Sequence, residues 1–90
     1  MIHVVAYDIA SEKRLRRVAS LCEDYGVRVQ KSVFEFRLPA SAFAAFWERL
    51  EALVDEKEDA IVDYPVGGSE ERKVLALGRA VRPRAGAYVF

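Results

Sequence analysis

Residues 27–38, VRVQKSVFEFRL, alternate between apolar and polar side chains over 27–30 and again over 34–38, with a polar break at residues 30–32. Alternation with a period of two is the signature of a strand with one buried face. Strands in globular domains usually run about five or six residues, so a run of this length has to turn back on itself. A turn at Lys31–Ser32 divides it into strands 27–30 and 33–38, although the pair lacks the Gly or Asn that favours tight hairpins. Pro39 ends the second strand. A short antiparallel hairpin in the middle of the chain therefore constrains everything on either side of it.

Both flanks change period. Before the hairpin, Leu15, Val18, Ala19, Cys22 and Tyr25 recur at helical spacing, with Ser11 as the N-cap and Gly26 as the stop. After it, Ser41 is expected to cap a second helix whose Phe43, Phe46, Trp47, Leu50 and Val54 form a heavy apolar stripe. Residues 2–7, IHVVAY, are β-branched or aromatic and read as a strand. Residues 55–59 read as a charged turn, and residues 60–66, AIVDYPV, as a further strand with Pro65 near an edge. The order is β-α-β-β-α-β, an α+β ferredoxin-like arrangement. We assign residues 1–66 to this domain and residues 67–90 to a C-terminal extension. In the extension, KVLALG (73–78) and AYVF (87–90) read as short strands, and Gly67-Gly68 as a turn without the further glycines and lysine of a phosphate loop.

The first strand carries a second constraint. Ile2, Val4, Ala6 and Asp8 point to one side, His3, Val5 and Tyr7 to the other, and both sets are largely apolar. A ferredoxin-like sheet has helices on one face only, so the other face is expected to be covered by a second copy, with the terminal strands adding across the pair. A chain of 90 residues buries only about 60–65% of its unfolded surface, yet 52% of its residues are hydrophobic. That excess agrees with a homodimer. No apolar run approaches the ~20 residues of a membrane span, no signal peptide opens the chain, and the single cysteine, Cys22, suits a reducing compartment. A cytoplasmic protein with no membrane partner is expected.

The charges sum to zero, but unevenly. Residues 1–40 hold seven Lys/Arg against five Asp/Glu, residues 41–71 two against nine, and residues 72–90 five against none. If the basic ends share a surface, that surface suits phosphates; otherwise the charges are ordinary solvated groups.

Asp8 ends the first strand and is followed at once by the basic helix bearing Lys13, Arg14, Arg16 and Arg17. A carboxylate there needs a backbone cap, an arginine or a metal ion. It could cap the loop through the amides of residues 10–12, or it could hold a metal. His3, the only histidine, has no ligand-spaced companion and reads as a packed or interface residue. Cys22, on the apolar helix face, reads as inert core, and Phe43, Phe46 and Trp47 as core rather than a base-stacking platform.

The stretches VVAYDI (4–9), KRLRRVA (13–19) and YGVRVQKSVFEF (25–36) together resemble the small CRISPR-associated adaptation proteins of the Cas-two family. The resemblance covers residues 2–37. It implies a ferredoxin-like homodimer in which Asp8 from each subunit meets across the two-fold axis to hold one divalent ion, magnesium with manganese as a substitute. It implies that Asp8 is the catalytic and metal-binding residue, and that Tyr7, Arg14, Arg17, Arg28 and Phe34 match positions linked to activity or to the surroundings of the site. Arg16 could stand in for either neighbouring arginine, since Leu15 interrupts the basic run. The implied functions are a metal-dependent endonuclease on single-stranded RNA or double-stranded DNA, and a bridging subunit that partners the CRISPR integrase (the Cas-one family) and a DNA duplex when new spacers are inserted. A different ferredoxin-like dimer, a toxin-type ribonuclease or a small-ligand regulator, is the alternative.

Overall fold

The computed structural model describes residues 2–66 and 75–78. Its elements are β1 (Ile2–Asp8), α1 (Glu12–Tyr25), β2 (Val27–Gln30), β3 (Val33–Arg37), α2 (Ala40–Leu53), β4 (Ala60–Val66) and β5 (Leu75–Gly78). The strands form one antiparallel sheet in the order β2-β3-β1-β4-β5. The β-α-β-β-α-β order of the sequence is therefore present, with β1 at the centre of the sheet.

Both helix ends of α1 follow from local chemistry. The Ser11 side chain accepts the Arg14 amide at 3.3 Å, and the Gly26 amide donates to the Cys22 carbonyl at 2.8 Å. Gly26 does not adopt the left-handed conformation often found at helix ends, for its φ is −142°. Glycine is required there by proximity: a Cβ would stand 2.6 Å from the Glu35 carbonyl oxygen and 2.6 Å from the Phe36 ring.

The start of α2 differs from expectation. The helix begins at Ala40, and Pro39 occupies the cap position with no side-chain hydrogen bond. Pro39 has an extended ψ of 154°, and its carbonyl accepts the Phe43 amide at 3.0 Å. Ser41 thus falls inside the first turn, where it cannot act as an N-cap. The hairpin turn lies where expected, and the pairing slips between Arg28 and Gln30, an irregularity that accommodates a turn without glycine.

Both helices lie on one face of the sheet. The core beneath them contains Val5, Tyr7, Ile9, Val18, Leu21, Cys22, Phe34, Phe36, Phe43, Phe46, Leu50 and Ile61, with Leu15, Tyr25 and Trp47 packed at its margin. Its centre is aromatic, with the Phe36 and Phe46 rings 4.6 Å apart between centroids. Leu21 belongs to this core although the apolar stripe drawn from the sequence omitted it.

His3 is a packed residue, as its isolation in the sequence suggested. It is buried against Phe43, with ring centroids 3.6 Å apart and planes nearly parallel. Its Nδ1 lies 2.9 Å from Oδ2 of Asp63, which is fully buried in β4. Burial pushes the Asp63 carboxyl up to about 6, against a smaller opposing pull from His3. Cys22 is a buried free thiol, pushed by the same desolvation up to about 12, which keeps it un-ionised and inert.

The opposite sheet face bears Ile2, Val4 and Ala6 from β1 and, by register, Val33, Val62 and Tyr64 from its neighbours. No helix covers it. Val66 is 42% exposed on this face, and an exposed Arg37–Glu35 pair at 2.9 Å borders it. The extension supplies β5, which pairs with Ala60–Asp63 of β4 in the same chain. Of the other expected features of the extension, the 87–90 strand and the Gly67-Gly68 turn lie outside the described residues. Among the described residues no helix is long and apolar enough to cross a membrane.

Candidate functional site

Asp8 is the last residue of β1, exposed, and paired in register with Ala60 at the start of β4. By the alternation of β1 it shares the open sheet face with Ala6 and Val62. Two depressions meet at this residue. One, about 300 Å³, lies on the open face and is lined by Ala6, Tyr7, Asp8, Ser32, Ala60 and Val62. The other, about 350 Å³, runs from Tyr7 and Asp8 toward α1 and the hairpin, where Arg16, Arg28 and Lys31 form its basic walls. The acid that ends the strand is thus the rim of a cleft with three cations around it.

Each cation has a local reason for its position. Arg28 is paired across the hairpin with Phe34, and its guanidinium lies 4.9 Å above that buried ring. It is fixed there by donating to the Lys31 carbonyl at 2.6 Å and toward Glu23 at 3.4 Å. A cation stacked on an aromatic face is pre-positioned for phosphate. Phe34 is therefore the floor under Arg28 rather than a contact surface of its own. Lys31 belongs to the turn and Arg16 to the exposed side of α1.

Tyr7 is 6% exposed, and its ring lies 6.1 Å from that of Phe34. Its amide donates to the Ser32 carbonyl at 3.0 Å, tying β1 to the hairpin turn. Its hydroxyl is buried without a hydrogen-bond partner among the described residues, and burial, reinforced by Cys22, holds the phenol above its ordinary range and neutral. Tyr7 supports the cleft from beneath and presents no charge to it.

The helix-one arginines do not act as one ridge. Although Arg14 and Arg17 are three positions apart, their side chains go to different places. Arg14 turns to the loop before β4, donating from Nε to Asp59 Oδ2 at 2.8 Å, and from its Nη2 to Asp59 Oδ1 at 3.2 Å and Glu58 Oε1 at 2.9 Å. Arg17 lines a groove between α1 and α2 with Ser20, Leu21, Asp24, Arg49, Ala52 and Leu53. Arg14 is thus an internal counter-ion, and of the helix-one arginines Arg16 is the one that lines the cleft with Asp8.

In the sequence Asp59 belongs to a charged turn, yet it is fully buried. Besides Arg14, it accepts the amides of Ala10 at 2.9 Å and Asp55 at 2.8 Å. Burial alone would raise its pKa, but the hydrogen bonds from Arg14 and from these two amides outweigh it and hold the carboxyl below its ordinary value. The Ala10 amide, one of those that Asp8 could have capped, is therefore occupied by Asp59. Nothing local in the sequence announces this, because Arg14 and Asp59 lie 45 positions apart.

Residues 1–74 match the family model described as CRISPR associated protein Cas2. A protein of Rhodospirillum rubrum named CRISPR-associated endoribonuclease Cas2 3 is 39% identical over 80 residues, covering 83% of this chain and 84% of its own length. A protein of Halalkalibacterium halodurans named CRISPR-associated endonuclease Cas2 is 35% identical over 83 residues, covering 87% and 86%. The crystal structure of Streptococcus pyogenes Cas2 superposes with a TM-score of 0.69 at 46% identity, over 74% of this chain and 87% of that one.

Proposed function

The chain belongs to the Cas2 family of CRISPR-associated proteins, and on that premise we propose that it is an endonuclease with a site shared by two subunits, serving in spacer acquisition. Membership sets aside the toxin-type ribonuclease and the small-ligand regulator. The observation that carries the proposal is the exposed Asp8 at the rim of a cleft walled by Arg16, Arg28 and Lys31. The relatives above are named an endoribonuclease and an endonuclease, and an acid beside three cations suits the phosphates of either backbone.

Among the described residues no group of three His, Cys, Asp or Glu side chains could hold a metal ion, and Asp8 is the carboxylate that lines the cleft. Magnesium takes oxygen ligands and keeps several waters, so two carboxylates and a phosphate suit it. The donor set fits if a second copy covers the open face and brings its own Asp8 to the first. Two carboxylates so placed repel, and a divalent cation relieves that repulsion. Asp8 would be the ligand from each subunit, with magnesium, or manganese in its place, supplying electrophilic activation of the phosphodiester and of water. Arg16, Arg28 and Lys31 hold the flanking phosphates and offset the charge that develops on the phosphoryl oxygens. Among the described residues at the cleft, only Asp8 could take a proton from water, so turnover is expected to be slow.

In the cell the same dimer would bridge subunits of the CRISPR integrase, holding duplex DNA on its basic surfaces in the cytoplasm. Hydrolysis and bridging are separated by Asp8→Ala, assayed in parallel for cleavage of RNA and duplex DNA and for spacer insertion. Cleavage is expected to vanish while folding and insertion persist. Cleavage that survives the substitution, or that continues in excess chelator, would remove Asp8 from the reaction.

A further inference from the structure

Asp59 stands at a junction that the cleavage reaction does not use directly. Its carboxylate is fully buried, yet it connects three separate segments. One is the β1–α1 loop, through the amide of Ala10. The second is the first turn of α1, through Arg14. The third is the start of the α2–β4 loop, through the amide of Asp55. Ala10 is two residues beyond Asp8, and Asp59 immediately precedes Ala60, the register partner of Asp8. The backbone that carries the site's only cleft carboxylate among the described residues is therefore linked to Asp59 twice, by the side-chain bond to Ala10 and by the ladder pairing with the residue that follows Asp59.

We infer that Asp59 is a positioning residue for Asp8, holding the β1–α1 loop so that the Asp8 carboxylate is directed into the cleft. The inference rests on the reading of Asp8 as the ligand and extends it to a residue outside the cleft. A carboxylate with two oxygens can satisfy at most about four donors. The Oδ1 of Asp59 takes the Ala10 amide and Arg14 Nη2, and its Oδ2 takes Arg14 Nε and the Asp55 amide. All four places are filled, and none can slip without leaving a donor unmet in a partly buried setting. Arg14 has a second consequence. Bound to Asp59 and Glu58, it is withheld from the cleft, so the cations that meet a phosphate there are Arg16, Arg28 and Lys31.

Groups that orient a metal ligand commonly change metal affinity 10- to 100-fold when lost. Asp59→Asn keeps the shape, removes the charge and loses at least one acceptor position. In the folded full-length protein, hydrogen exchange of the Ala10 amide is expected to quicken at least about tenfold beyond any change shared by the core amides of Phe36 and Phe46. Manganese binding, followed by paramagnetic broadening at Asp8, should weaken about tenfold, and kcat for cleavage should fall with KM unchanged. If Asp59→Asn does not fold, the neutral pair Arg14→Gln with Asp59→Asn provides the same readouts without a stranded guanidinium. A purely structural role predicts lower stability with unaltered Ala10 protection relative to the core, unaltered manganese affinity and unaltered kcat in the folded fraction. That result overturns the inference. Should the wild type bind no manganese and cleave nothing, the reading of Asp8 as the ligand fails instead, and the selective loss of Ala10 protection alone still decides whether Asp59 holds the loop.

Discussion

Replacing Asp63 by asparagine should remove a pH dependence of stability that is built into the core. The Asp63 carboxyl is fully buried beside His3 and is pushed up to about 6, chiefly by desolvation. In the unfolded chain an aspartate titrates near 3.9. Between about pH 4 and pH 6 the unfolded chain therefore releases a proton that the native protein retains, so stability falls as pH rises through this window. The contribution is fully present below pH 4 and lost once the native group ionises. A separation of about two pH units, at ~1.4 kcal/mol each, gives about 3 kcal/mol. The amide of the Asp63→Asn variant stays neutral and can serve His3 as donor or acceptor, whichever ring tautomer is present. Denaturant unfolding followed by circular dichroism at fixed protein concentration, at pH 4, 5, 6 and 7, gives the wild-type minus variant difference. That difference should shrink by about 3 kcal/mol across the series. Subtraction cancels groups common to both, including Asp59, whose lowered pKa makes stability fall in the opposite direction, as pH drops. A constant difference, or one that grows in favour of the wild type as pH rises, would refute the reasoning, because it would mean that the native Asp63 carboxyl does not stay protonated through this window.

Gly26→Ala should destabilise by about 1–3 kcal/mol, the usual cost of overpacking, since the new methyl meets the Glu35 carbonyl and the Phe36 ring at 2.6 Å; thermal melting measures it, and an unchanged midpoint contradicts the crowding. Arg16→Glu and Arg28→Glu should weaken duplex binding for all sequences alike and flatten the salt dependence by about one unit per lost contact, whereas Arg14→Glu should lower the melting temperature by setting a carboxylate against Asp59 and Glu58. Salt-titrated binding and melting of the three variants separate these roles, and equal effects from all three would merge them. Sedimentation at low micromolar concentration should give about twice the 10.2 kDa chain mass, because the face bearing Ile2, Val4, Val33 and Tyr64 has no cover within the described residues of one chain; a clean monomer would remove the shared site.

What is legible in the sequence is local. The hairpin, both helices and the Ser11 cap arise from periodicities and spacings of a few residues, and the structure has them with shifts of one or two positions. The start of α2 departs from expectation because Ser41 carries a capping side chain, while Pro39 caps through its backbone alone. The face on which Asp8 lies is also legible, since strand alternation fixes it; its exposure is not, because the need for a partner is argued from burial. The ion pairs are not. Arg14 finds Asp59 across 45 positions and His3 finds Asp63 across 60, and both depend on β4 lying beside β1 in one particular register. Helix spacing alone puts Arg14 and Arg17 together. A buried acceptor beyond the end of the helix draws them apart.

The central place of β1 also bears on the order in which the molecule assembles. Ala6 pairs with Val33, 27 positions later, and with Val62, 56 positions later. Loop closure grows by about 0.6 kcal/mol for each doubling in length, so the ladder with β3 is the less costly one to close first. Its register ends at Ala6, and the ladder partner of Asp8 lies in β4, at Ala60. We therefore expect the carboxylate to reach its working position late on the folding route, with phi-values high at Val33 and low at Ala60; the reverse order would discount the entropic argument. Destabilising changes in the β4 ladder would then act mainly on the rate of unfolding, and the site would be the first part of the sheet to come undone.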